Sequence, residues 1–128
     1  MKLWLDDVRK PPDASWTWCR TAQEAFNFVS SHECEEWALD HDLGGQQAHY
    51  GKGPYEFNAS GYMFLIYAAK CPLPDRISIH STNSSGVSNM VAILHELAIK
   101  SARDIEIIVR PMRGRIMDKT PYYEEATR

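Results

Sequence analysis

The sequence predicts a single α/β domain in which a five-stranded parallel sheet, with strand order 2-1-3-4-5, is the middle layer of a three-layer sandwich. Three observations lead to this prediction. Five short apolar runs recur along the chain, helical patterns or long connections separate them, and polar clusters follow four of them. Such connections join parallel strands by right-handed crossovers, with helices on both faces of the sheet.

Length and composition set the domain organisation. A chain of 128 residues has the usual size of one domain, and its 44% hydrophobic and 24% charged residues are ordinary globular values. We expect a core domain over residues 1–111 and a polar, aromatic C-terminal tail over residues 112–128 that packs on it. A net charge of −3 gives no general attraction to DNA or to anionic membranes, so any phosphate binding must come from local geometry.

Cysteine usage and the N-terminus predict a cytoplasmic protein. Cys19, Cys34 and Cys71 are an odd number at no metal-type spacing, which favours free thiols in a reducing compartment. The chain enters a strand without the basic and apolar regions of a signal peptide, and no apolar run approaches membrane-spanning length. We therefore expect a soluble protein without a membrane partner.

The first part of the chain predicts two strands and a helix. Residues 2–5 form an apolar run stopped by two aspartates, and two prolines exclude a helix from residues 8–13. The aromatic residues 16–19 predict the second strand. Thr21 and Glu24 then form a capping-box pattern at the start of a helix. The apolar stripe of that helix comprises Ala22, Ala25, Phe26 and Val29.

The remaining chain predicts three strands and two helices. The strands cover residues 36–39, 77–79 and 105–109. A strongly apolar segment over residues 62–69 predicts a buried helix, and helical spacing from Val87 onwards predicts another, with Ser84 or Ser85 as its N-cap. Between them, residues 44–58 lack periodicity and predict a long loop beside the functional edge of the sheet.

Polar side chains stand where four of the apolar runs end. The clusters are Asp6-Asp7, Asp40-His41-Asp42, His80-Ser81-Thr82-Asn83 and Arg110-Pro111. The carboxyl ends of parallel strands share one edge of the sheet, which is where open α/β folds bind ligands. We therefore expect an acidic pocket that contains two histidines.

The order of these clusters resembles that of response-regulator receiver domains. Receivers carry an acidic pair after the first strand, an aspartate after the third, a small hydroxyl residue after the fourth and a basic residue before proline after the fifth. Asp6-Asp7, Asp40, Ser81 and Arg110 stand at these points. The motifs LDDVR, DHDLG and HSTN more closely resemble the divergent cyclic-phosphate processing receiver domains. The resemblance covers residues 1–111 and implies a flavodoxin/receiver-like fold.

The departures from ordinary receivers bear on function. Arg110 stands where receivers have a lysine, so a planar fork replaces a flexible point charge. His41 and His80 have no counterpart in the ordinary pattern, and a proline-containing loop replaces the first helix. These differences weigh against reversible aspartyl phosphorylation.

The acidic residues predict a metal site. Asp6, Asp7 and Asp40 would bring three carboxylates together, which favours a hard cation such as Mg²⁺, with Mn²⁺ or Zn²⁺ as alternatives. The alternative for Asp7 is that it caps the loop and pairs with Arg9. Asp42 has two open interpretations, since it would either bind the metal through water or cap a turn.

Catalytic and substrate-binding candidates come from the same clusters. His80 is the candidate general acid, with a structural hydrogen bond to Asp40 as its alternative. His41 is a candidate base or stacking ring, or it points away from the pocket. The candidates for binding phosphate or substrate are Ser81, Asn83, Arg110, Arg9, Tyr50 and Tyr55. We expect the four tryptophans, Trp4, Trp16, Trp18 and Trp37, to pack in the core.

The leading functional hypothesis is a metal-dependent phosphoesterase. The resemblance implies a cyclic phosphate as substrate, such as a nucleotide or RNA end with a 2′,3′-cyclic phosphate. In this hypothesis His80, Asp40, His41 and Asp42 are the catalytic residues, and a covalent phospho-Asp40 intermediate is an allowed variant. The rivals are a module that binds a cyclic nucleotide without cleaving it and a pseudo-receiver that signals to a partner.

Overall fold

The structure, a computed structural model, describes residues 1–41, 43, 60–81 and 84–111. The strands are β1 (Lys2–Leu5), β2 (Trp16–Cys19), β3 (Glu36–Leu39), β4 (Arg76–Ser81) and β5 (Glu106–Pro111). The helices are α1 (Ala22–Ser31), α2 (Gly61–Ala68) and α3 (Ser84–Ser101). The predicted long loop with Tyr50 and Tyr55, the residues Asp42 and Asn83, and the predicted tail over 112–128 lie outside the described residues.

All five strands pair in parallel in the order β2-β1-β3-β4-β5, which confirms the predicted sheet. The register is continuous across the sheet, because Leu5 pairs with Leu39, Leu39 with Ile79 and Ile79 with Val109. Residues one position further along each strand therefore form the next row at the carboxyl edge. The candidate site is built on that row.

The main hydrophobic core lies between one face of the sheet and the three described helices. Alternate strand residues such as Leu3, Leu5 and Ile79 face it, since side chains alternate along a strand. The helices contribute Ala22, Ala25, Val29, Phe64, Leu65, Ala68, Met90 and Leu94. We call this side of the sheet the core face.

The opposite side of the sheet, called here the second face, carries a different set of residues. Trp4, Trp16 and Ala38 form a separate buried cluster there, and the two indole rings meet edge to face at a centroid distance of 5.6 Å. Among the described residues no helix contributes to this cluster. Ser78 and His80 follow the same alternation on β4 and are fully buried.

Side-chain caps define where two of the helices begin. Thr21 Oγ1 accepts the Glu24 backbone N–H at 3.1 Å, which confirms the predicted N-cap of α1. Glu24 Oε1 accepts the Arg20 backbone N–H at 2.7 Å, one residue earlier than a regular capping box requires. At α2, Ser60 Oγ accepts the Met63 N–H at 3.2 Å, so the helix begins one residue before the predicted start.

Strands β4 and β5 extend further towards their carboxyl ends than the sequence predicts. His80 pairs with Arg110, and Ser81 pairs with Pro111, in the parallel ladder between the two strands. His80, Ser81 and Arg110 therefore lie within the strands, one or two residues beyond the strand ends predicted at residues 79 and 109. Ladder pairing between neighbouring strands is a tertiary effect that the local sequence pattern does not carry.

The remaining described features concern thiols and membranes. All three cysteines are free, with Cys19 buried and Cys34 and Cys71 partly exposed. Burial raises the pKa of the Cys19 thiol to about 12.

None of the helices in the described ranges combines the length and the apolar character that a membrane crossing requires.

Candidate functional site

Four of the candidate residues form one row at the carboxyl edge of the second face. Asp6 and Asp40 come one position after the paired residues Leu5 and Leu39, in line with the His80–Arg110 pair. The backbone confirms the alignment, since the Asp40 N–H donates to the Leu5 carbonyl at 2.9 Å. The parallel register therefore brings together charged residues that lie more than 100 positions apart in the chain.

The expected cluster of carboxylates is present. Asp6, Asp7 and Asp40 each offer one carboxylate oxygen, and the three oxygens lie within 4.8 Å of one another. Asp6 and Asp40 are buried, whereas Asp7 is half-buried. A buried set of carboxylate oxygens is the donor type that Mg²⁺ and other hard cations bind, so these residues can hold a divalent cation.

Asp40 shows the electrostatic strain of this arrangement. Burial raises its pKa well above the ordinary value, and the negative charges of Asp6 and Asp7 raise it further. The backbone N–H of His41 and the charge of Arg9 act in the opposite direction without balancing these effects. A bound cation would reduce the repulsion between the three carboxylates and so favour the ionised form of Asp40.

Asp6 is stabilised by hydrogen bonds instead. Its Oδ1 accepts the backbone N–H groups of Val8 and Arg9, each at 2.8 Å, and so closes a tight turn. Its Oδ2 lies 3.0 Å from His80 Nε2, within hydrogen-bond distance. The Asp6 side chain therefore caps the turn that follows β1.

His80 differs from its prediction in partner and in exposure. Its partner is Asp6 rather than Asp40, and its side chain is fully buried. The ring crosses β3 to reach Asp6 and stacks on Trp4, with centroids 4.3 Å apart and planes inclined by 15°. Ala38 faces the same side of β3, and its small side chain leaves room for this crossing. The His80 ring is therefore buried against Trp4 and lies within hydrogen-bond distance of one carboxylate of the acidic cluster.

His41 occupies a more accessible position beside the same edge. Its carbonyl accepts the Gly61 N–H at 2.7 Å, which ties the end of β3 to the start of α2. Its half-buried ring lies against Gly86 in the first turn of α3, where an added Cβ would be 2.5 Å from the ring carbons Cγ and Cδ2. The absence of a side chain at Gly86 therefore makes the position of the His41 ring possible.

The basic candidates are buried near the same row. Arg110 is 9% exposed and faces the second face beside His80, and Arg9 is 4% exposed at the end of the Asp6 turn. Ser81 is half-buried at the last position of the strand ladder. The guanidinium groups of Arg9 and Arg110 thus supply positive charge beside the carboxylates of the site.

Sequence reasoning did not identify two residues that contact the acidic pair. Trp18 was expected in the core, but it lies on edge strand β2 with 37% of its surface exposed, and its indole N–H donates to the Asp6 carbonyl at 2.7 Å. Arg20 donates from Nε and Nη2 to the Asp7 carbonyl, at 3.1 and 2.7 Å. Both residues stand at the carboxyl end of the strand predicted beside the acidic pair, and this position could have identified them as candidates.

The comparisons with known proteins agree with this architecture. The model of the cyclic-phosphate processing receiver domain family matches residues 1–96 of the 128-residue chain. No curated protein and no solved structure gives a significant match. The matched region includes all three carboxylates and both histidines of the candidate site. The chain therefore belongs to the cyclic-phosphate processing receiver domains.

Proposed function

We propose that this protein is a divalent-cation-dependent phosphoesterase that opens a cyclic phosphate carried by a nucleotide or an RNA end. The observation that carries the proposal is the cluster of Asp6, Asp7 and Asp40, whose oxygens lie within 4.8 Å at the carboxyl edge of a receiver sheet. Family membership supports the ligand class, and the fold supports the location of the site. The predicted cytoplasmic location belongs to the same proposal.

The donor set suits a hard divalent cation. Asp6, Asp7 and Asp40 would hold it, and the raised pKa of Asp40 supports this role because the charge of Arg9 does not offset burial and the negative charges of Asp6 and Asp7. A bound Mg²⁺ or Mn²⁺ would supply neutralisation of the phosphate charge and stabilisation of the charge that develops in the transition state.

Hydrolysis of a cyclic phosphodiester needs a base and an acid. The oxygen of a water molecule bonds to phosphorus while the water gives a proton to the base, one ring P–O bond breaks, and the freed ribose oxygen takes up a proton from the acid, so that a phosphomonoester forms. His41 is the better candidate for proton transfer, because its ring is half-buried whereas that of His80 is fully buried. We assign His80 to a positioning role through Asp6.

Phosphate binding rests on the basic side of the row. Arg110 and Arg9 would neutralise the phosphate oxygens, and the hydroxyl of Ser81 would add a hydrogen bond. The 18-residue helix α3 begins just beyond β4, so the positive end of its dipole supports anion binding at the same edge. Asn83, Asp42, Tyr50 and Tyr55 remain candidates from the sequence.

The proposal is tested by incubating the full-length protein with 2′,3′-cyclic nucleotides in Mg²⁺ or in chelator. We expect a phosphomonoester, detected by ³¹P NMR, with Mg²⁺ and none with chelator. We expect loss of turnover in Asp40→Asn and a decrease of roughly 10²- to 10⁴-fold in His41→Ala, the usual magnitude for a removed acid or base. The matched control is His95→Ala, since His95 is exposed on α3 and should leave turnover unchanged.

Each rival makes a different prediction in the same experiment. Tight binding of the cyclic nucleotide without product would contradict catalysis and favour the sequestering module. Labelling by acetyl phosphate that is retained in His41→Ala and lost in Asp40→Asn would favour the pseudo-receiver. Equal turnover in wild type and Asp40→Asn would exclude the acidic cluster as the active site.

A further inference from the structure

We infer that Trp4, Trp18 and Arg20 form a clamp that holds residues 6–9 in their cation-binding shape before any cation arrives. We call residues 6–9 the acidic turn and the three side chains the carbonyl clamp. The inference rests on the proposed cation site, and it assigns a positioning role to residues outside the proposed catalytic and ligating set.

The clamp is defined by hydrogen bonds to three carbonyl oxygens of the acidic turn. Trp18 Nε1 donates to the Asp6 carbonyl at 2.7 Å, and Arg20 donates twice to the Asp7 carbonyl, at 3.1 and 2.7 Å. Trp4 Nε1 donates to the Arg9 carbonyl at 2.7 Å. The clamp therefore fixes both ends and the middle of the turn through its backbone, while the carboxylates converge on one point.

The N–H groups of Asp6, Val8 and Arg9 in the acidic turn are paired as well. The Asp6 N–H donates to the Cys19 carbonyl at 3.1 Å, and the N–H groups of Val8 and Arg9 donate to Asp6 Oδ1 at 2.8 Å each. Backbone groups paired on both sides leave a turn few alternative conformations. Its shape is therefore set by the protein and not by a ligand.

The clamp residues are themselves held in place. The Arg20 guanidinium lies 5.1 Å from the centre of the Trp18 ring, and the Arg20 backbone N–H donates to Glu24 in the first turn of α1. Trp4 is 1% exposed and stacks on His80, which in turn bonds to Asp6. The clamp thus connects the acidic turn to two strands and a helix.

A preorganised turn has a consequence for cation binding. Groups that orient metal ligands from outside the coordination sphere usually change metal affinity by about 10- to 100-fold when they are removed. A loop that must be ordered on binding loses affinity because the ordering entropy opposes association. The clamp should therefore affect cation affinity although none of its side chains is proposed to touch the cation.

The test uses variants that keep the bulk of each side chain and remove the donors. Trp18→Phe removes the indole N–H. Arg20→Lys keeps the positive charge but has a single donor group, and Arg20→Met removes the charge and the donor group. In chelator, we expect the Val8 and Arg9 amides of Trp18→Phe and Arg20→Met to exchange with solvent at least about fivefold faster than in wild type, as loss of a hydrogen bond predicts. We expect the Mn²⁺ dissociation constant from calorimetry to rise by about 10- to 100-fold, with Arg20→Lys between wild type and Arg20→Met.

Two matched controls separate positioning from general stability. Trp37→Phe removes an indole N–H from the core face, and Arg103→Lys alters an ion pair with Asp75 away from the site. Both should leave amide exchange in the acidic turn and Mn²⁺ affinity unchanged, even where the melting temperature decreases.

The outcomes distinguish this inference from the proposed function. Unchanged exchange of the Val8 and Arg9 amides in Trp18→Phe and Arg20→Met overturns the clamp, whatever the activity of the protein. Faster exchange in a protein that binds no divalent cation supports the clamp and contradicts the cation site. Faster exchange with unaltered Mn²⁺ affinity overturns the claim that the clamp serves cation binding.

Discussion

Asp6 and Asp40 are both buried in one row, but their surroundings stabilise a negative charge to different degrees. Asp6 is fully buried, and two backbone N–H groups and His80 hydrogen-bond to its carboxylate. Asp40 is also buried, but the like charges nearby raise its pKa. Asp6 therefore belongs to the permanent framework of the site, whereas Asp40 is the carboxylate that depends most on a positive ligand.

This difference predicts the stability of Asp40→Asn. The raised pKa means that the native state binds more protons than the unfolded state, so the free energy of unfolding decreases as pH rises from about 4, the unfolded pKa, through the raised native pKa. In chelator at neutral pH we expect Asp40→Asn to be more stable than wild type, because the variant places no negative charge at this buried position. Urea unfolding measures this difference.

The control for the Asp40→Asn prediction is urea unfolding of both proteins at low pH and with added Mg²⁺. The advantage of the variant should disappear below about pH 4, where the carboxyl group is protonated in both states. Added Mg²⁺ should stabilise wild type and leave the variant unchanged. A variant that is less stable than wild type in chelator at neutral pH would contradict this account of Asp40.

Among single residues, the histidines show the limit of sequence reasoning. The HSTN and DHDLG motifs identified His80 and His41 as candidates, but the motifs contain no information on the path of the His80 ring across β3. Burial of His80 and its bond to Asp6 depend on the neighbouring strands and on the small side chain of Ala38. The structure therefore adds the burial of His80 and its contact with Asp6, which the motifs do not contain.

At the scale of elements, close contacts at helix starts place the ends of the strands. The Gly61 position allows the backbone of α2 to approach β3, since an added Cβ would be 2.0 Å from the Asp40 carbonyl oxygen. Gly86 likewise allows the first turn of α3 to approach the His41 ring. The first turns of both helices therefore pack directly on residues of the candidate site.

Gly86→Ala tests the second of these contacts. The new Cβ would lie 2.5 Å from His41 ring carbons, so we expect the ring to be displaced, turnover to decrease and the protein to lose about 1–3 kcal/mol, the usual cost of overpacking. In a His41→Ala background the same change should instead stabilise α3 by up to about 1 kcal/mol, because alanine favours helix more than glycine. Chemical unfolding of the four proteins in this double-mutant cycle supplies the measurement. A loss of the same size in both backgrounds would show that His41 is not the neighbour that requires glycine.

The whole molecule has two unlike faces on one sheet. The core face carries the three described helices and most of the buried apolar residues, whereas the second face carries Trp4, Trp16 and the charged row of the candidate site. Separation of the faces lets polar groups be buried without interrupting the main core. The stability of the domain therefore resides mainly on the side away from the proposed chemistry.

The alkylation rate of Cys19 tests whether edge strand β2 opens separately from the rest of the domain. Its thiol packs in the main core, is 5% exposed, and has a pKa raised to about 12 by burial. In native buffer at pH 8 we expect Cys19 to be alkylated at least about a thousandfold more slowly than Cys71, which is partly exposed, because the thiolate is the reactive form. Mass spectrometry of the labelled peptides gives both rates, and in denaturant they should become equal. Comparable native rates would mean that edge strand β2 opens without unfolding of the domain.

The sequence by itself determined the α/β class, the parallel strand order, the N-cap of α1 and the carboxylates that meet at the sheet edge. These features follow from local patterns of apolar and polar residues, which repeat with the period of each element. The tertiary structure alone decided that His80 bonds to Asp6, that Gly86 receives the His41 ring, and that Trp18 and Arg20 hold the acidic turn. Such contacts join side chains from strands and helices far apart in the chain, and their distances depend on register and packing, which no local pattern encodes.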